Sequence, residues 1–175
     1  MSIQVLPREV AAKIAAGEVV ERPVSVAKEL IENSLDAGAS RIDVEVRGGG
    51  VNLLRVVDNG SGILSQDTEK AFCRYATSKI TSADDLERIG TLGFRGEALA
   101  SIAAVSEMTV ITRTKDEVGA SYLRLMDGQL LERQSRAAAP GTSVTVRRLF
   151  RNVPARLKFL RSDAAETNRI TTLVG

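Results

Sequence analysis

Histidine and tryptophan are absent from the 175 residues, and cysteine occurs once, at Cys73. Without histidine the commonest general base and metal ligand is missing, and a lone cysteine excludes disulfides within the chain and thiolate metal cages. Chemistry must therefore rest on carboxylates, amides, hydroxyls and cations. Aromatic residues make up only 3% of the chain, too few to interleave with cations as a base-stacking platform. No apolar run approaches the ~20 residues of a membrane helix, and Pro7, Arg8 and Glu9 stand where a signal peptide would need an apolar core. These absences predict a soluble protein of a reducing compartment, most simply the cytoplasm. What is present, 43% hydrophobic and 26% charged residues, suffices for one globular domain with a sizeable core. The net charge of +2 and pI of about 8.9 are too mild to announce a nucleic-acid partner, so any basic patch has to be local.

The stretch from Arg22 to Gly38 organises the rest. Pro23 suits a first helical turn and Gly38 a C-terminal cap, which brackets a helix of about four turns. At about 100° per residue, Glu29, Glu32, Asn33 and Asp36 fall on one polar stripe, with Ala27, Leu30, Ile31 and Leu35 opposite. The stripe fits a solvated helix face. The functional alternative is a pocket into which a carboxylate and an amide one turn apart point, one as a general base and one as a metal ligand.

Elsewhere the spacing predicts a short helix after Pro7 with a turn at Gly17, and two strands, 41–47 and 51–57, joined as a hairpin by Gly48, Gly49 and Gly50. The second strand runs into Asp58-Asn-Gly-Ser-Gly62, either a plain turn or a close backbone approach to a ligand whose exocyclic amine Asp58 would accept. Ser65 is placed to cap a helix reaching about Ala76. From Thr77 to Glu97 the chain is polar, with Gly90, Gly93 and Gly96 at three-residue spacing, and reads as a lid or binding loop. It meets an apolar helix over 97–105, where glycine-flanked N–H groups with Lys79 and Arg95 suit a phosphate. Strands follow at 108–113, 120–125, 129–133 and 142–146, the last two separated by a loop near Arg136 to Pro140, with helices after them at 154–160 and 163–173. Between Arg133 and Ser162 no residue is acidic, while Arg133, Arg136, Arg147, Arg148, Arg151, Arg156, Lys158 and Arg161 are all basic. This field reads either as solvated cations or as a surface for phosphate backbone without sequence readout. Strands in series after helices predict an α+β fold, a two-layer sandwich with a mixed, mostly antiparallel sheet carrying its helices on one face.

A Walker-type loop is excluded because the chain has no Gly-Lys pair, and a dinucleotide fingerprint is absent too. Six strings instead carry a resemblance. They are Ile14-Ala-Ala-Gly-Glu-Val-Val-Glu-Arg-Pro23, Glu29-Leu-Ile-Glu-Asn-Ser-Leu-Asp-Ala-Gly38, Asp58-Asn-Gly-Ser-Gly-Ile63, Ala76-Thr-Ser-Lys-Ile80, Leu92-Gly-Phe-Arg-Gly-Glu-Ala-Leu-Ala-Ser-Ile102, and Asn152-Val-Pro-Ala-Arg156 with Lys158-Phe-Leu-Arg161. In this order and over essentially the whole chain, they resemble the MutL mismatch-repair proteins. Those proteins share the Bergerat (GHKL) nucleotide-binding fold with type II topoisomerases, the ninety-kilodalton heat-shock chaperone and sensor histidine kinases.

The resemblance implies ATP and Mg2+ as cofactors. It makes Glu29 the general base toward the attacking water and Asn33 the magnesium ligand; helical angles alone do not choose Glu29 over Glu32. It sets Asp58 on the adenine amine, Gly60 and Gly62 against the base, and Thr142 at the adenine end. Thr77, Ser78 and Lys79, with Gly93, Phe94, Arg95, Gly96, Glu97, Ala98 and Leu99, would enclose the phosphates. Hydrolysis is then positioning plus electrostatics. Turnover would be slow, with ATP acting as a switch that orders the N-terminal arm and drives dimerisation. The implied partners are DNA without sequence preference, the mismatch-recognition protein MutS, downstream repair factors and a second copy in a homodimer, with no membrane and a nucleoid-associated place in the cytoplasm. Arg148, Arg151, Arg156, Lys158 and Arg161 are the candidate DNA contacts.

Tyr75 departs from the family pattern, which commonly has histidine there. The resemblance also implies that residues 1–175 are the N-terminal ATP-binding domain alone. A second subdomain would supply a lysine to the terminal phosphate, and a C-terminal domain would dimerise. The chain is therefore expected to bind nucleotide better than it hydrolyses it. Two alternatives remain: a non-catalytic DNA-binding or clamp module built on residues 147–161, and a kinase- or chaperone-type ATP site, against which the absence of histidine and the six strings count.

Overall fold

The α2 helix, Pro23–Asp36, starts where Pro23 pre-sets φ and the missing N–H costs nothing. The Arg22 N–H instead meets Ser25 Oγ at 3.3 Å. The helix ends in a Schellman arrangement: Gly38 takes φ +70, its N–H reaches the Leu35 carbonyl, and the Ala39 N–H returns to Ser34. A computed structural model describes residues 3–72 and 98–175. Its other elements are α1 (Arg8–Val19), β1 (Ile42–Arg47), a 3-10 turn (Gly48–Gly50), β2 (Leu53–Asp58), a 3-10 turn (Lys70–Phe72), α3 (Ala98–Ala104), β3 (Glu107–Arg113), β4 (Ala120–Met126), β5 (Gln129–Arg136), β6 (Gly141–Arg147), α4 (Pro154–Phe159) and α5 (Asp163–Val174).

The six strands form one sheet in the order β1-β2-β6-β3-β4-β5, and every pairing among them is antiparallel. Because side chains alternate across a pleated strand, one face presents Val44, Leu54, Val56, Val144, Val146, Met108, Val110, Leu123 and Leu125, which pack with Ala16, Val26, Ala27, Leu30, Ile102, Ala103 and Ile170 from the helices. Each large side chain fully removed from water there contributes about 1.5–3 kcal/mol. The other face carries a row set by register, Glu45, Arg55, Thr145, Thr109, Arg124 and Glu132. This is the expected two-layer α+β sandwich with helices on one face.

Several local expectations are corrected. Gly17 lies inside α1, which runs on to Val19, and its carbonyl accepts Arg156 Nη2 at 3.2 Å. Leu35 is not on the core side of α2; it is 50% exposed, and the buried line runs through Pro23, Val26, Ala27, Leu30 and Ser34. Ser65 caps no helix: its N–H goes to Glu117 Oε1, and turns lead only to the short 3-10 piece at Lys70. The remainder of that expected helix, beyond Phe72, lies outside the described residues. β2 starts at Leu53 rather than 51, and β5 extends to Arg136 because it pairs along the whole of β4. Its hairpin turns on Asp127 (φ 51) and Gly128 (φ 82), the left-handed pair that matches strand twist.

Candidate functional site

The face of the sheet that packs under the helices changes character at one end. The row of β2, β6, β3 and β4 there is Asp58, Thr142, Thr112 and Ser121. Apolar strand interiors thus give way to a line of oxygens.

Asp58 is half-buried, and three donors converge on its carboxylate. The Gly60 N–H reaches Oδ1 at 2.9 Å, the Thr142 N–H reaches the same oxygen at 3.2 Å, and Ser34 Oγ reaches Oδ2 at 2.7 Å. Thr112 is 1% exposed. Its hydroxyl accepts the Ile63 N–H at 2.9 Å and shares a proton with Thr142 Oγ1 at 2.9 Å. The Asn59 amide oxygen accepts the Ser40 and Arg41 N–H groups, both at 2.9 Å, and the Ser61 N–H reaches the Ala37 carbonyl at 2.9 Å. The 58–63 loop is therefore pinned to the end of α2, the start of β1 and the end of β3.

The glycines of this loop have packing reasons. A Cβ on Gly60 would fall 2.8 Å from both the Cβ and the carbonyl oxygen of Ala37. Gly62 has φ +71, and a Cβ there would lie 2.1 Å from the Arg113 carbonyl oxygen. These contacts draw the loop against α2 and β3, so what the two glycines approach closely here is the protein's own backbone rather than the ligand the spacing suggests.

Glu29 and Asn33 lie one turn apart on α2 and both are half-buried. Glu32 pairs with Lys28 at 3.9 Å, the ordinary i,i+4 arrangement of a helix surface. Asn33 immediately precedes Ser34, so the residue that grips Asp58 sits about 100° around the helix from the amide oxygen. That amide and the Glu29 carboxylate are hard oxygen donors, which suits Mg2+ bound mainly through phosphate and water rather than a protein cage. Among the described residues no cluster of three or more acidic, histidine or cysteine side chains could hold a metal.

Ala98 and Leu99 open α3, with Leu99 packed against the core. Thr77, Ser78, Lys79, Gly93, Phe94, Arg95, Gly96 and Glu97, together with Tyr75, lie outside the described residues. The segment before them is anchored by Glu117, which accepts from the Ser65 N–H at 2.8 Å and from Thr114 Oγ1 at 2.9 Å. These donors, the Ser65 N–H first, pull its carboxyl down to about 2. Arg133 pairs with Glu69 and donates to the Ser65 carbonyl. Sequence spacing assigns no role to Ser34, Thr112 or Glu117; the legible signal for the first was a serine four residues after Leu30 on an apolar helix face.

The basic field is less positive than its sequence. Arg148 pairs with Glu107, whose carboxyl is lowered chiefly by that hydrogen bond. Arg151 pairs with Asp127, Arg133 with Glu69, and Arg156 is spent on the Gly17 carbonyl. Acidic partners arrive from strands and turns distant in sequence. Lys158 and Arg161 are exposed and have no ion-pair partner among the described residues.

A family profile described as histidine kinase-, DNA gyrase B- and HSP90-like ATPase matches residues 21–145. The DNA mismatch repair protein MutL of Xanthomonas campestris pv. campestris (strain B100) is 55% identical over 170 residues, covering 97% of this chain and 27% of that protein. That of Methanothrix thermoacetophila is 54% identical over 173 residues, covering 98% of this chain and 31% of that protein. Among solved structures, the Aquifex aeolicus MutL ATPase domain complexed with ADP shares 33% identity at a TM-score of 0.70 over 89% of this chain and 54% of its own. The N-terminal domain of a DNA repair protein shares 28% identity at a TM-score of 0.77 over 94% of this chain and 47% of its own. The chain thus spans 27% of the first of these relatives.

Proposed function

Since the chain belongs to the histidine kinase-, DNA gyrase B- and HSP90-like ATPase family, in its MutL branch, we propose that it binds ATP with Mg2+ and hydrolyses it slowly, as the nucleotide switch of a DNA mismatch repair protein. The observation that carries the reading is the Asp58 carboxylate, fixed at the end of the sheet by donors from α2, the 58–63 loop and β6. An ionised carboxylate only accepts, so what it recognises must donate, as the exocyclic amine of adenine does.

In this reading Asp58 selects the base, with Thr142 beside it and Gly60 and Gly62 letting the loop lie close. Glu29, one turn before Asn33, orients and deprotonates the attacking water. Asn33 would hold Mg2+, which supplies charge neutralisation across the phosphates when bound. Thr77, Ser78, Lys79 and residues 93–99 are assigned to the phosphates. That the similar Aquifex aeolicus MutL ATPase domain is complexed with ADP supports nucleotide binding by this chain. Residues 1–175 act as the N-terminal ATP-binding domain, and ATP controls dimerisation and the engagement of DNA, MutS and later repair factors in the cytoplasm. No helix among the described residues is long and apolar enough to cross a membrane.

Isothermal titration with ATP, with and without magnesium, tests the proposal. Magnesium-dependent binding is expected, lost on Asn33→Ala and retained on Glu29→Ala, while Glu29→Ala in the full-length protein abolishes turnover. Normal hydrolysis by that variant would sink the role given to Glu29. Binding to DNA that ignores ATP and falls steeply with salt would favour the clamp-module reading instead.

A further inference from the structure

Ser34 is a hydroxyl on an otherwise apolar helix face, 2% exposed. Its Oγ lies 2.7 Å from Asp58 Oδ2 and 3.1 Å from the Leu30 carbonyl. A hydroxyl has one proton, so the shorter, charge-assisted bond to the carboxylate takes it. Of the three donors on Asp58, two are backbone N–H groups fixed by the loop and by β6. Among the described residues Ser34 alone is a side chain, and it alone grips Oδ2.

We infer that Ser34 is a specificity-positioning residue: its hydroxyl sets the plane of the Asp58 carboxylate, so that the site accepts a base bearing an exocyclic amine and rejects one bearing a carbonyl there. This rests on the nucleotide reading above. With Oδ1 occupied by two N–H groups and Oδ2 held by Ser34, the carboxylate presents lone pairs and no proton. A carbonyl-bearing purine then sets acceptor against acceptor, the mismatch of buried polar groups that gives the largest discrimination. Removing the hydroxyl opens Oδ2 to water. Water both donates and accepts, so it can bridge the carboxylate to a carbonyl, and the discrimination relaxes. In the nucleotide reading the attacking water belongs to Glu29 and the phosphates to other residues, and the hydroxyl of Ser34 contacts Asp58 and Leu30, so hydrolysis once nucleotide is bound should be unaffected.

The test compares Ser34→Ala with the unaltered protein, using titration against ATP and against inosine triphosphate, which carries a carbonyl in place of the amine. Alanine favours the helix interior and leaves both N–H donors on Asp58, so the variant is expected to fold. Should it not, Ser34→Cys, with its weak S–H donor, serves in the same comparison and gives an intermediate result. The expected outcome is a preference for ATP that falls at least tenfold, a KM for ATP that rises several-fold, and a kcat in the full-length protein that stays within twofold. A Ser34→Ala protein that keeps the full preference overturns this inference alone. An unaltered protein that binds neither nucleotide, or both equally, overturns the nucleotide reading and this inference with it.

Discussion

Arg22 and Glu166 stand 144 positions apart and meet at 2.7 Å, the arginine at the start of α2 and the glutamate 1% exposed on α5. The same Oε1 accepts the Arg161 N–H at 3.0 Å, and the guanidinium lies over the Phe159 ring at 5.5 Å. This pair ties the helix that carries Glu29 and Asn33 to the last helix. Removing the arginine strands the glutamate, whose side chain is only 2% exposed, so Arg22→Ala should destabilise the fold by about 3 kcal/mol. Replacing both residues by apolar ones of similar volume should be nearly neutral. Urea unfolding midpoints of the single and double variants distinguish the two costs.

The Glu117 carboxyl, held near 2 by the Ser65 and Thr114 donors, predicts an acid-sensitive anchor. Its folded value lies below the unfolded one, so its contribution is complete above about pH 4.5 and is lost as pH falls toward 2. Protection of the Ser65 and Thr114 amides, measured against the intrinsic exchange rate at each pH, should fall across that window, and Glu117→Gln should remove most of this pH dependence. Carboxyl titration by NMR gives the value directly.

Gly38 and Gly62 share left-handed backbone, φ +70 and +71, but not surroundings. A Cβ at Gly38 meets nothing within 4 Å, whereas at Gly62 it strikes the Arg113 carbonyl at 2.1 Å. Gly38→Ala should cost only the conformational penalty, about 1–2 kcal/mol. Gly62→Ala should cost more than that and also displace the 58–63 loop, so that nucleotide binding is lost while most of the fold survives. Thermal unfolding and nucleotide titration of both variants test the contrast.

Charge pairing within the basic field predicts unequal contributions to DNA binding. Arg148 and Arg151 already face Glu107 and Asp127, so replacing either by alanine should scarcely change the salt dependence. Lys158→Glu and Arg161→Glu should each weaken binding across sequences and reduce the log–log salt slope by about 1. Filter binding at several salt concentrations measures both.

Local rules made much of this legible. Pro23 and Gly38 bracket α2 because each acts through its own backbone, and Asp127-Gly128 marks a hairpin for the same reason. The sandwich follows from alternation, which is a property of neighbours. Leu35 is exposed and Ser34 is buried because which edge of a helix is buried depends on what packs against it. The basic field looked uniformly positive because its counter-charges, Glu69, Glu107 and Asp127, lie outside its own stretch. Glu29 and Asn33 were readable as a pair, but their separate roles came from resemblance. Ser34 and Thr112 stayed silent since a hydroxyl at an inward position acquires meaning only from the partner across the fold.

The strand order has a consequence for how the protein is made. β2 joins the rest of the sheet through β6, and Asp58 waits for Thr142, 84 positions later. At about 5–20 residues per second on the ribosome, roughly 4–17 s separate the two. During that interval β1 and β2 are a two-stranded ribbon with an open edge, a marginal structure on its own, and closing so long a loop carries an entropic cost that local contacts cannot offset in advance. The Asp58 end of the sheet therefore cannot be completed before β6 has been synthesised, and the nucleotide binding proposed above would have to wait for the same strand.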